Sequence, residues 1–154
     1  MSRLIAGVEV KRLKPVPDER GRVVELLRSD DAIFERFGQA TLTTAHPGVV
    51  KGWRVHRVQV NHLAVLSGSV KLVLFDDRDD SETRGETNEF FVGDYNPILV
   101  KVPAGVTHGF KTVGSLEALV LNIASEPHRA NDPDESRLDP VLNEIPYDWD
   151  RKDG

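Results

Sequence analysis

The sequence predicts an all-β, single-domain protein: a sandwich or barrel of short strands. Three observations predict it. Short β-branched or alternating runs recur along the chain, as VEVKRL, GRVVELL, ATLTT, VVKGWRV, HLAVLSG, SVKLVLF, ILVKV and ALVLNI. Turn-forming clusters separate them, as PDERG, HPG, SGS, DDRDDSETRG, GDYNP, PAG and VGS. Many short strands at even spacing fit a sandwich or barrel rather than βαβ units. The length of 154 residues, with 39% hydrophobic and 29% charged, fits one globular domain over residues 1–154.

One interruption is expected. Ser29 or Asp30 can cap a short helix over about Asp30 to Phe37, with Ile33, Phe34 and Phe37 at helical spacing. From Glu126 to Gly154 the chain becomes rich in Asp, Pro and Arg, then ends in an apolar clip around Ile145, Tyr147 and Trp149. That pattern predicts a tail docked on the barrel through those three side chains.

Composition excludes several functions. There is no cysteine, hence no disulfide framework and no thiolate metal site. The start has no apolar run long enough for a signal peptide, and no stretch approaches a membrane span. The expected location is cytoplasmic. Net charge is −5, spread along the chain, which disfavours nucleic acid. A local arginine cluster can still hold a small phosphorylated ligand.

Two histidine segments carry the chemistry. The first runs Gly52-Trp53-Arg54-Val55-His56 and on through Asn61-His62 to Gly68. The second is Pro103-Ala104-Gly105-Val106-Thr107-His108-Gly109-Phe110. Together they resemble the two motifs of the cupin superfamily, which implies a jelly-roll β-barrel. Counting back from the Gly68 turn, the first motif's two histidine positions fall on Arg54 and His56, and its glutamate position on Asn61. A guanidinium at a ligand position opposes a cation, and two imidazoles make a poor transition-metal site. No metal and no other cofactor is expected. His62 follows Asn61 on one strand, so alternation points one of the two away from the cavity. His46 and His128 are expected on the surface.

The match narrows further. Asp18-Glu19-Arg20-Gly21 with Glu25, Phe37-Gly38-Gln39, Gly48 to Gly52, Asp76-Asp77-Arg78, Pro103 to Phe110 and Ile145 to Trp149 occur in an order that resembles the dTDP-4-dehydrorhamnose 3,5-epimerase family. The resemblance implies a homodimer and a nucleotide-sugar substrate. A histidine removes the proton beside a C4 ketone, and a cation stabilises the enolate. By motif position, His56 is the base and Asp139 its orienting aspartate. Arg20 and Glu25 contact the nucleotide. Gln39, Lys51, Arg54, Asn61, His62 and His108 line the sugar end. Two departures stand out. The family's lysine falls on Asn61, and its tyrosine, expected within Ala118 to Ile123, is missing. Arg54 to Leu72 also resembles sugar 3,4-ketoisomerases. The alternatives are a non-catalytic cupin holding a nucleotide sugar or other anion, and a metal-dependent cupin.

Overall fold

In the computed structural model, which describes residues 3–154, twelve strands form among the described residues. They are β1 (Glu9–Arg12), β2 (Val16–Asp18), β3 (Gly21–Val23), β4 (Gln39–Ala45), β5 (Val50–His56), β6 (Asn61–Ser67), β7 (Ser69–Phe75), β8 (Thr87–Gly93), β9 (Ile98–Val102), β10 (Thr107–Val113), β11 (Ala118–Ala124) and β12 (Glu135–Arg137). One five-stranded sheet has the order β1-β9-β6-β11-β4, the other β12-β5-β10-β7-β8, and β2 and β3 form a separate hairpin. The jelly-roll class is as expected, but the two sheets face each other without closing into a continuous hydrogen-bonded barrel.

Alternation builds the core. Inward residues of β6, β9 and β11 (Leu63, Val100 and Val120) meet Val70, Leu72, Leu74, Val92 and Phe110 from β7, β8 and β10. The outer face of each sheet is covered separately. Leu13 and Ile33, with Val24, Leu26 and Leu27 beside them, cover Ala64 and Leu99. Trp149, Ile145 and Tyr147 cover Trp53 and Val73. The tail therefore docks through the three residues expected from sequence. A ring of that size buries about 150–250 Å², or ~4–6 kcal/mol of hydrophobic stabilisation. Lys71 and Lys111 add two bonds to the Trp149 carbonyl, each 3.0 Å.

The helix expected over about Asp30 to Phe37 does not form. Two i→i+3 turns replace it, with Asp31 N–H on the Arg28 carbonyl and Phe34 N–H on that of Asp31. Side-chain bonds to residues outside the segment replace those a helix would make. The Asp31 carboxylate binds the Arg28 amide and Lys11. The Glu35 amide donates to His62 Nε2 at 3.1 Å. Tertiary bonding overrides the local pattern.

One irregularity positions the site. Between His108/Phe110 and their partners Arg54/Lys51 the β5–β10 register shifts, and β5 carries the extra residue. Gly52 and Gly109 allow the close approach there, since a Cβ on Gly52 would sit 2.8 Å from the Gly109 Cα. Strict alternation would put Lys51 and Arg54 on opposite faces. The bulge brings both inward, together with His56.

Candidate active site

The inner faces are apolar toward one end and polar toward the other, where a cavity of about 420 Å³ opens. That size suits a small organic ligand. β4 lines it with Gln39, Thr41 and Thr43, β5 with Lys51, Arg54 and His56, and β10 with His108 and Phe110. Val120 and Asn122 of β11 and the segment after β11 complete it.

His56 is the centre of the polar end. It is buried and stacks on His108, with ring centroids 6.0 Å apart. Asn61 Oδ1 accepts from Gln59 Nε2 at 2.7 Å and Asn122 Nδ2 at 2.8 Å. Its own amide nitrogen therefore donates to His56 Nδ1, at 3.4 Å. That leaves the proton of neutral His56 on Nε2, which faces Glu135 Oε1 at 3.7 Å. Glu135 also lies 3.6 Å from Arg54 Nε and 2.7 Å from Arg137 Nε.

Burial lowers the pKa of His56 below the ordinary imidazole value, and the Glu135 and Asp134 charges oppose this only in part. His108 is pushed down to about 4 by burial and by His56 beside it. Its Nδ1 is buried with no hydrogen-bond partner. For Glu135, burial acts upward, but Arg137, Arg54 and His56 outweigh it and hold the carboxylate ionised. At neutral pH the cluster is thus two uncharged imidazoles beside an ionised carboxylate and a guanidinium.

The structure brings together Gln39, Lys51, Arg54, His56, Asn61 and His108. Lys51 Nζ is held by the Thr44 carbonyl at 2.9 Å. It does not bring in His62, which points to the outer face with both ring nitrogens satisfied. Nδ1–H donates to the Ile123 carbonyl at 2.7 Å, and the ring stacks on Phe34. Asp139 is exposed and accepts from the amides of Val141 and Leu142, closing its own turn. Arg20 and Glu25 lie outside the cavity. Arg20 pairs with Asp18 on the β2–β3 hairpin, and Glu25 with Arg28. Neither tyrosine lines the cavity; Tyr95 is exposed, and Tyr147 donates to Glu89 at 2.5 Å.

Sequence reasoning missed Glu135, the carboxylate that lies beside His56. It also missed Asp134, whose carboxylate accepts the amides of Arg57, Val58 and Gln59. His128 is exposed, as expected, and stands at the rim of the cavity, where its amide donates to Gln39 Oε1 at 2.6 Å. A three-residue strand leaves no periodicity to read. The two carboxylates in the segment after Pro133 were the only signal. Among the described residues no three His, Cys, Asp or Glu side chains converge as a metal-ligating group.

Known proteins share this architecture. The model of the family described as "Polysaccharide biosynthesis C-terminal domain" matches residues 16–136. The spore coat polysaccharide biosynthesis protein SpsL of Bacillus subtilis is 35% identical over 146 residues, covering 95% of this chain and 97% of its own. The probable low-salt glycan biosynthesis epimerase of Haloferax volcanii is 35% identical over 147 residues, with 94% of each covered. A dTDP sugar isomerase from Desulfovibrio desulfuricans superposes with a TM-score of 0.89 at 32% identity, covering 94% of this chain and 92% of that one. The dTDP-4-dehydrorhamnose 3,5-epimerase of Sulfolobus tokodaii shares the fold, with a TM-score of 0.80 at 23% identity over 94% of this chain and 84% of that one. With a paired-histidine cavity in a jelly roll and relatives matched nearly end to end, the chain belongs to the polysaccharide biosynthesis C-terminal domain family, and it shares the fold of sugar epimerases and isomerases.

Proposed function

We propose that the protein is a metal-free epimerase or isomerase of a nucleotide-linked 4-keto-6-deoxy sugar. The observation that carries this is His56, a buried neutral imidazole held between Asn61 and Glu135 beside the Arg54 guanidinium. A C4 ketone acidifies the hydrogen on the adjacent carbon. Neutral His56 accepts that proton at Nδ1, displacing the long contact from the Asn61 amide, and Glu135 beside Nε2–H stabilises the imidazolium that results. Arg54, on the same face of β5, takes the stabilising place of the family's lysine at the developing enolate oxygen. His108 stays neutral and holds the sugar. Asp139, Arg20 and Glu25 have no part in this within one chain.

The mouth suits the rest of such a substrate. Arg57, Arg129 and Arg137 stand around it, as a diphosphate requires. A homodimer agrees with the β2–β3 hairpin, on which Val16 and Val23 are exposed. In that assembly Arg20 and Glu25 of one chain reach the nucleotide in the other. The wall facing the imidazoles, from β4 and β11, is Gln39, Thr41, Thr43, Val120 and Asn122, with no titrating group. That favours exchange at one carbon over two. The test is incubation with dTDP-4-keto-6-deoxyglucose in deuterated water. Solvent deuterium beside the ketone is expected. Recovery of unlabelled substrate overturns the reading for that sugar.

A further inference from the structure

The C-terminal tail does more than cover the outer face of a sheet. β12 lies at a sheet edge and pairs with β5 through three residues, Glu135 opposite His56 and Arg137 opposite Arg54. Leu138 extends the ladder by one step, its amide on the Trp53 carbonyl at 2.9 Å and its carbonyl on the Trp53 amide at 3.0 Å. The chain then leaves the sheet, with Val141 and Leu142 exposed. It returns at Trp149, whose ring lies 4.9 Å from that of Trp53. Trp53 is thus gripped twice by the tail, by its backbone at Leu138 and by its ring at Trp149. On the other face of the same strand, the flanking Arg54 and His56 point into the cavity.

So short an edge strand is marginal alone, and it needs packing to hold its register. Trp149 supplies that packing, fastened by Lys71 and Lys111 at its carbonyl and flanked by Tyr147 on Glu89. Its indole N–H and that of Trp53 are buried without acceptors, so the contact is held by shape and area alone. We infer that Trp149 is a positioning residue: docked on Trp53, it fixes the strand that presents Glu135 to His56. This rests on the reading of His56 and Glu135 given above. It adds that the carboxylate's placement is set on the opposite face of the sheet, by a side chain that touches no substrate.

The test reads His56 directly, by NMR titration of its imidazole in the full chain. The charged and titratable groups facing His56 are Glu135 and Asp134 from the tail, Arg54 from its own strand and His108 from β10. Glu135→Gln removes a carboxylate and lowers the His56 pKa by roughly one unit. Trp149→Ala lowers it in the same direction, Trp149→Phe restores most of the parent value, and Trp149→Ala combined with Glu135→Gln falls no further than Glu135→Gln alone. Trp149→Leu carries the same expectation, with a smaller shift, should Trp149→Ala fail to fold. A folded Trp149→Ala or Trp149→Leu protein that keeps the parent pKa, while Glu135→Gln lowers it, overturns the inference. So does a Glu135→Gln protein with no shift. Since the readout needs no turnover, failure of the deuterium assay for every keto sugar would sink the enzymatic reading and leave this result standing.

Discussion

His62 and His56 are both buried imidazoles of one sandwich, and their surroundings treat them oppositely. His62 has both nitrogens bonded at 2.7 and 3.1 Å and a phenyl ring against its face. His56 has only a 3.4 Å bond from Asn61 and a carboxylate at 3.7 Å, and it opens onto a cavity. A satisfied polar group inside a protein maintains the fold. One left with capacity to spare, beside an open volume, is available to a ligand.

Substitutions can break that contrast. His56→Ala is expected to lower the deuterium-exchange rate ~10²–10⁴-fold while leaving the melting temperature nearly unchanged. His62→Ala should do the reverse, because it strands the Glu35 amide and the Ile123 carbonyl. The cost is roughly 1–3 kcal/mol in denaturant unfolding, with turnover per folded molecule retained. If His62→Ala abolished exchange in a folded protein, the two roles would have to be exchanged.

Acidity sharpens the comparison within the cavity. His108 titrates near 4 in the folded chain against 6.5 for an ordinary imidazole. As pH falls through that interval the unfolded chain takes up the proton first, so stability is lost from about 6.5 down to 4. His108→Asn should flatten that part of the melting-temperature profile. The acid limb of exchange should lie below 6.5, because His56 is also depressed. The smallest effect is expected at Asp139→Ala, within about 0.5 kcal/mol in stability and without change in exchange rate. A large rate loss there would restore it as the orienting carboxylate.

Most of the fold was legible because alternation is. β4, β5, β6, β7, β9 and β11 coincide with runs read from the sequence, and the docking clip was visible as Ile145, Tyr147 and Trp149. β8 escaped notice because Thr87-Asn88-Glu89 dilutes its apolar end. The false helix shows the opposite error. Ile33 and Phe34 stand at helical spacing from Phe37, yet they turn toward separate neighbours on the outer face of β6 and β9. At the site, His56, His108 and Arg54 were found by motif. Glu135 was not, because its placement depends on strand pairing across about half the chain length. Lys51 and Arg54 share a face only through the β5 bulge, which counting by two along a strand would deny.

Asp134 and Glu135 are neighbours with unlike tasks. One gathers the three amides that shape the cavity mouth, and the other faces the imidazole. Their adjacency makes this part of the tail intolerant of length change. One residue inserted between Asp134 and Leu138 would turn Glu135 outward or pull Asp134 from its amides. Insertions at the exposed residues 130–132 or in the turn 141–144 would alter neither. Length variation among homologues should therefore gather in those two loops and spare the four residues from Asp134 to Arg137.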